Sequence, residues 1–181
     1  MLEKRNSNTE CPNVPNPESK MDKSWHGLKP GTIMGVSPWF QLKQEMFTEF
    51  EELTLSNDPL HTDPQWIAEN THFKSTIAPG FFTVALLPYL YKQVATAKLK
   101  EVVTGSLNGY FSMNYGFDKI RWVDPVPVNS RIRAEFVVMQ VTPRDDGGAV
   151  VKTKVTVEIE GGRRPGMVAE WLGVVMPDSK H

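Results

Sequence analysis

The chain has 181 residues, of which 20 are basic and 21 acidic, and 40% are hydrophobic. This length suits one domain with a substantial core. A formal net charge of -1 without a long basic run argues against nucleic acid or a membrane surface as the partner. Cys11 is the only cysteine, so an intrachain disulfide and a cysteine metal cluster are both excluded.

The first segment, residues 1–24, is rich in Asn, Pro, Ser and charged residues and has almost nothing to bury. It also lacks the apolar run of a signal peptide, and we therefore expect a cytoplasmic protein. We predict a disordered N-terminal tail over 1–24 and one folded domain over 25–178. A short strand and a turn are predicted between Gly31 and Leu42, where apolar residues lie between two prolines.

A helix is predicted from Lys43 to Leu55, because four apolar residues repeat at helical spacing: Met46, Phe47, Phe50 and Leu53. The polar and acidic residues of the segment fall elsewhere, and a solvated face is the simplest interpretation: Gln44, Glu45, Glu49, Glu51 and Glu52. A polar loop with two prolines follows over 54–64. Trp66, Ile67 and Ala68 then predict a short helical turn over 65–70.

The most apolar run of the chain extends from Ser75 to Tyr91 and continues to Lys98. We interpret it as one buried helix that begins at Pro79-Gly80, where the first amide N–H groups are free to bind an oxyanion. Its apolar stripe is predicted from three- and four-residue spacing: Phe81, Ala85, Leu86, Tyr89 and Leu90. Pro88 predicts either a kink at that point or a helix end near Leu87.

After Leu99 the apolar period changes to two, which indicates strands. Four strands are predicted, and their apolar positions are Leu107, Phe111, Met113 and Tyr115, continued by 120–123; Ile132, Ala134, Phe136 and Val138; Val151, Thr153, Val155, Val157 and Ile159; and 167–176. The last is apolar on both faces, so we expect it centrally in the sheet or at an interface. The fold class is α+β, with a curved antiparallel sheet around the helix.

Three segments carry a resemblance to a known family, and they are Asp58–Pro64, Thr76–Phe81 and Asn114–Arg121, the last continued by Pro125–Arg133. Their letters and order resemble the MaoC-like family of (R)-specific enoyl-CoA hydratases, particularly the branch related to nodulation protein N. The resemblance covers about residues 30–176. It implies the hotdog fold, in which an antiparallel sheet wraps a long helix, and a homodimer formed edge to edge.

The same resemblance implies an activity, the addition of water to the trans-2 double bond of an acyl-CoA or its removal. The family uses an Asp and a His on the loop before the central helix to position and polarise one water. The histidine falls on His61, and the amide that holds the thioester oxygen falls on Gly80. The position of the Asp, five residues before the histidine, is Ser56 here, and Leu55 replaces the usual preceding glycine.

Two further positions depart from the family pattern: Asp58 stands where the family has Asn, and Pro79 where histidine is common. Ser56 can hold a hydrogen bond but does not exchange protons near neutral pH. Asp58 is therefore either a replacement for the missing Asp or a turn cap. We expect Asp63, which precedes Pro64, to cap a helix.

The second matching segment supplies the candidate substrate-binding residues Asn114, Tyr115 and Arg121. Asn114 and Tyr115 either reach the acyl pocket or form a strand end packed on the helix. Arg121 and three other cations either meet the phosphates of CoA or lie on solvated strand faces: Lys119, Arg131 and Arg133. Without an HxxxH or HExxH motif we expect no metal site, and no cofactor beyond the CoA thioester substrate.

The leading hypothesis is a homodimeric hydratase or dehydratase that acts on thioesters of CoA or acyl carrier protein. A first alternative is an acyl-CoA-binding protein that has lost catalysis, because the catalytic Asp is replaced. A second alternative is a hotdog thioesterase, in which a carboxylate activates water toward the carbonyl carbon. The acyl chain length and the carrier stay open at this point.

Overall fold

A computed structural model describes residues 27–94 and 110–177. Its helices are α1 (Gln44–Thr54), α2 (Pro59–Thr62), α3 (Pro64–Asn70), α4 (Gly80–Ala85) and α5 (Leu87–Lys92). Its strands are β1 (Ile33–Val36), β2 (Phe40–Gln41), β3 (Tyr110–Trp122), β4 (Arg131–Pro143), β5 (Ala149–Ile159) and β6 (Met167–Pro177). The expected tail, the helix beyond Val94 and Leu107 lie outside the described residues, so the domain limits stay a prediction. None of the described helices is long and apolar enough to cross a membrane.

The six strands form one antiparallel sheet in the order β1-β4-β5-β6-β3, and β2 also pairs with β4. The predicted turn at 145–148 joins β4 to β5, where Arg144 N–H donates to the Gly148 carbonyl at 2.9 Å. Strand β6 lies between β5 and β3, which confirms the central position predicted from its two apolar faces. Strand β3 is an edge strand that pairs with β6 alone among the described strands.

The core lies between one face of this sheet and the central helices. The predicted alternation in β4 is confirmed, because Ile132, Ala134 and Phe136 are fully buried while Arg131 and Glu135 on the opposite face are not. These residues pack with Leu87 and Leu90 of α5 in one continuous cluster. The α+β class with a sheet packed on the helix is therefore confirmed.

The central helix is divided at Leu86, one residue before the predicted end and two before Pro88. Proline has no N–H to donate to the carbonyl of Val84, which explains the interruption. Of the predicted buried stripe, Leu90 is confirmed, but Phe81 is 68% exposed and Ala85 is exposed, while Phe82 and Leu87 are buried instead. Tyr89 is also exposed. The Phe81 ring lies edge-on against Trp122, and the Tyr89 ring lies edge-on against Phe40.

Helix α1 confirms the predicted helix, but two of its side chains were placed wrongly. Glu51 is not solvated: only 3% of it is exposed, because it follows Phe47 by four residues and shares its buried face. Leu53 is 83% exposed, since it lies in the last turn before the chain reverses at Leu55. The residues after α1, predicted as a polar loop, contain the single helical turn α2.

The apolar residues of β3 also differ from the prediction. Phe111, Met113 and Tyr115 are all substantially exposed, and Tyr115 reaches 63%. The strand lies at the edge of the sheet, and its register against β6 shifts between Asn114 and Gly116, so period-two spacing does not bury them in a single chain. The predicted segment 120–123 continues the same strand as far as Trp122.

Candidate functional site

Helix α2 places His61 and begins with a capping residue. The Asp58 carboxylate accepts from the N–H of Leu60 at 2.9 Å, and Pro59 occupies the first helical position. The N–H of His61 donates to the Asp58 carbonyl at 3.0 Å, which closes the turn. Asp63 caps the next helix, because its carboxylate accepts from the N–H groups of Gln65 and Trp66 at 2.9 Å.

The imidazole of His61 is held by a backbone contact. Its Nδ1 lies 2.8 Å from the carbonyl oxygen of Ile77, in the segment before α4. Because a carbonyl oxygen accepts only, Nδ1 carries the hydrogen and donates. Nε2 is therefore the nitrogen that has the lone pair in the neutral ring and accepts a proton during a reaction.

Gln44 at the start of α1 connects the two segments that meet at His61. Its Nε2 donates to the carbonyl of His61 at 2.7 Å, and its Oε1 accepts from the hydroxyl of Thr76, which is fully buried. The segment after Thr76 is fixed on its other side, where Ala78 N–H donates to the Val126 carbonyl at 2.8 Å. The backbone on both sides of the imidazole is thus tied to the fold.

Two recesses share His61 and Gly80 as common walls, and each has a volume of about 290 Å³. We call the first the Trp122 recess; it is also lined by Ile77, Ala78, Thr83, Trp122, Val123, Asp124, Pro125 and Val126. We call the second the Glu51 recess; it is also lined by Phe50, Glu51, Thr54, Ser56, Pro79 and Phe81. His61 and Gly80, the first residue of α4, therefore line both cavities.

Gly80 is in close contact with the indole of Trp122. The indole Nε1 donates to the Gly80 carbonyl at 2.9 Å, and a Cβ added at Gly80 would lie 2.7 Å from Cε2 of that ring. Glycine is thus required there by close approach of a side chain. As the first residue of α4, Gly80 has no intrahelical acceptor for its N–H.

The candidate catalytic residues are only partly brought together. Ser56, His61 and Gly80 all line the Glu51 recess, as the resemblance implies for the positions they occupy. Asp58 lines neither recess, and its carboxylate makes the capping contact with Leu60. Of the two interpretations of Asp58, the geometry therefore supports the turn cap.

None of the candidate substrate-binding residues lines either of the two recesses at His61. Asn114 lines a separate cavity of about 230 Å³ beside Tyr91 and Trp171. Tyr115 is exposed on the edge strand, and the Arg121 guanidinium donates to its neighbour's carbonyl at Ile120. Among the other cations, Arg131 pairs with Glu160 and Arg133 with Glu158, as solvated strand faces predict.

Three residues of the site were missed in the sequence, namely Gln44, Glu51 and Trp122. Spacing could have found Glu51, because it lies four residues after Phe47. No local pattern indicates Gln44 or Trp122, since their partners are distant in the chain. Within the described residues, no three His, Cys, Asp or Glu side chains group closely enough to hold a metal ion.

Comparison with known proteins places this site in a family. The model of the MaoC like domain matches residues 27–160. The 3-hydroxyacyl-thioester dehydratase Z of Mycobacterium tuberculosis is 36% identical over 140 residues, which are 77% of this chain and 86% of that protein. Nodulation protein N of Rhizobium meliloti is 31% identical over 150 residues, 83% of this chain and 88% of that protein.

Solved structures agree on the fold. A MaoC-like dehydratase from Rhodospirillum rubrum has a TM-score of 0.62 at 19% identity, covering 83% of this chain and 94% of its own. An (R)-hydratase from A. caviae has a TM-score of 0.58 at 23% identity, and the match covers 83% of this chain and 97% of that one. The family match, the two relatives and the shared fold agree with the resemblance read from the sequence. The chain belongs to the MaoC-like domain family and has its hotdog fold.

Proposed function

We propose that this protein is an (R)-specific hydratase and dehydratase of acyl thioesters, and that it acts at the two recesses that His61 and Gly80 line. One observation carries the proposal: the Ile77 carbonyl holds Nδ1 of His61 at 2.8 Å, which leaves Nε2 to exchange a proton. The names of related proteins, a 3-hydroxyacyl-thioester dehydratase and (R)-hydratases, support the reaction class.

In the dehydration direction, a base removes the α-proton of a 3-hydroxyacyl thioester and an acid protonates the leaving β-hydroxyl group. We assign the acid role to His61, whose protonated Nε2 gives its hydrogen to the hydroxyl as water departs. The thioester oxygen gains negative charge, and the N–H of Gly80 is our proposed donor to it. In the hydration direction, the neutral Nε2 takes the proton of the attacking water. The reaction is redox-neutral and needs no cofactor.

The proposed carrier of the acyl group is CoA or acyl carrier protein, and the proposed assembly is a homodimer. Strand β3 supports the dimer, because its outer edge has no partner among the described strands and its apolar side chains are exposed. Edge-to-edge pairing of two copies would give this edge a partner strand and would bury its apolar side chains. A cytoplasmic location is proposed from the single Cys11, which leaves no intrachain disulfide.

The deciding experiment follows the absorbance of the conjugated enoyl thioester with purified protein and a chain-length series of trans-2-enoyl-CoAs. We expect hydration of at least one member to the (R)-3-hydroxyacyl product, identified by chiral chromatography, and a loss of about 100-fold or more in His61→Ala. Binding without turnover would contradict the proposal and favour the acyl-CoA-binding protein. Release of free CoA thiol instead would favour the thioesterase.

A further inference from the structure

Glu51 is a buried carboxylate in the wall of the cavity that holds His61. It is only 3% exposed and lines the Glu51 recess together with Ser56, His61 and Gly80. Helix α1 brings it there, since the spacing of four residues from the fully buried Phe47 turns both side chains to the interior. An ionisable group therefore lies where the family pattern has lost one at Ser56.

The Glu51 carboxylate also holds the loop that leads to His61. Its Oε2 accepts from the N–H of Asp58 at 3.0 Å. That bond alone does not account for a carboxylate, because a glutamine oxygen would accept the same N–H without the cost of burying an ionisable group. The carboxylate of Glu51 therefore indicates a second role besides accepting the N–H of Asp58.

The proposed reaction lacks a group for one of its two proton transfers. His61 serves the hydroxyl, and Ser56 is unsuited to exchange a proton near neutral pH. Asp58 is engaged by the N–H of Leu60 and lines neither recess. Asp124 lines the Trp122 recess, but Arg164 pairs with it at 3.2 Å. Among the described residues that line the two recesses, Glu51 is then the carboxylate without a basic partner.

We infer that Glu51 is the second catalytic residue, taking the place of the Asp that is absent at Ser56; this rests on the proposed function. In dehydration, a Glu51 carboxylate oxygen takes the α-proton as the Cα–H bond breaks and the Cα=Cβ bond forms. The Cβ–O bond breaks and the hydroxyl leaves as water with the proton from His61. The proton on Glu51 then returns to His61 through the departing water, which restores both groups. Hydration is the reverse.

The test compares Glu51→Gln with the wild type, using Glu52→Gln as the matched control. Glu52 is the exposed neighbour on the same helix, so its variant makes the same chemical change outside the cavity. Glutamine at 51 keeps the bond to Asp58 N–H, so we expect unchanged thermal denaturation and substrate affinity. We expect kcat to fall about 100-fold or more. Exchange of the α-proton with deuterium from solvent, followed by mass spectrometry, should fall with it.

Two outcomes overturn the inference while leaving the proposed function intact. One is a Glu51→Gln protein whose kcat and α-exchange stay within about twofold of the wild type. The other is a loss seen in Asp124→Asn and not in Glu51→Gln. A wild-type protein that converts no enoyl or 3-hydroxyacyl thioester would overturn both inferences together.

A second pair of variants covers the case in which Glu51→Gln does not fold. Glu51→Asp and Glu51→Asn have the same shortened side chain and differ only in the ionisable group. We expect the Asp variant to be at least about tenfold faster than the Asn variant, since only a carboxylate exchanges the proton. Equal rates in these two proteins would overturn the role of Glu51. Adding Ser56→Asp to Glu51→Gln should restore turnover, because it returns a carboxylate to the same recess.

Discussion

The indole of Trp122 both donates to the Gly80 carbonyl at 2.9 Å and fills the space that a side chain at residue 80 would need. The last residue of the edge strand β3 is thereby fixed against the first residue of α4. The same indole is one wall of the Trp122 recess, which Gly80 and His61 also line.

Gly80→Ala is expected to lower kcat/KM by about tenfold or more, because the new Cβ displaces the Trp122 ring and moves the proposed oxyanion donor. Thermal stability should fall only modestly, since the half-exposed indole can move outward at the cost of its hydrogen bond to the Gly80 carbonyl, about 1 kcal/mol. Steady-state kinetics and thermal denaturation check both statements. Trp122→Leu in the same background should give a non-additive effect in a double-mutant cycle, and simple additivity would contradict the coupling.

Gln44→Met should weaken the support of His61 without touching its ring. The substitution removes the bond to the His61 carbonyl and leaves the buried Thr76 hydroxyl unpaired, which costs roughly 1 to 3 kcal/mol. We expect kcat to fall about tenfold to a hundredfold through misplacement of the imidazole. Gln65→Met is the control, as the Gln65 side chain is exposed and its amide donates to the Glu69 carboxylate, away from His61. Equal kinetics in the two variants would refute the positioning role.

Gly35→Ala tests a close contact in the first strand. Gly35 has a φ of +140°, and an added Cβ would lie 2.4 Å from Cγ1 of the buried Val94. Backbone strain and overpacking together should lower the free energy of unfolding by roughly 2 to 4 kcal/mol. Gly173→Ala is the matched control, because its nearest neighbour would be a backbone oxygen at 3.9 Å. Chemical denaturation of both proteins measures the difference, and equal midpoints would contradict the contact.

Tyr115→Lys tests the proposed dimer. A lysine at this exposed position of β3 places a charge on the edge that we expect to pair, and it should shift the protein from dimer to monomer. Light scattering after size exclusion should give about twice the 20.4 kDa chain mass for the wild type. Leu53→Lys is the control, since it adds the same charge at a still more exposed apolar residue on α1. A monomeric wild type would contradict the dimer.

Most of the fold was predictable because it rests on short-range patterns. The alternation in β4 and β5, the turn at 145–148 and the interruption caused by Pro88 each follow from a few neighbouring residues. The predictions that failed concern the burial of side chains, which depends on the position of a strand within the sheet. Phe111 and Tyr115 follow a buried pattern, yet they are exposed because β3 lies at the edge, and strand order is not contained in local spacing.

The site was predictable to a smaller extent. His61, Ser56 and Gly80 came from a motif and do line one recess. Glu51 was assigned to a solvated face, although its spacing from Phe47 already indicated the interior. Asn114, Tyr115 and Arg121 line neither recess at His61, although Trp122 of the same strand lines one of them, and local spacing does not indicate which residues of a strand reach a site.

The exposed edge of β3 has a consequence for handling the protein. A strand that pairs on one side only among the described strands, and whose Phe111 and Met113 side chains are exposed, is a template on which other extended chains can add. Conditions that separate two copies would then yield insoluble aggregates in place of inactive monomers. Partial denaturation should therefore cause precipitation, and more of it at higher protein concentration, because the association of exposed strand edges is at least second order in the protein.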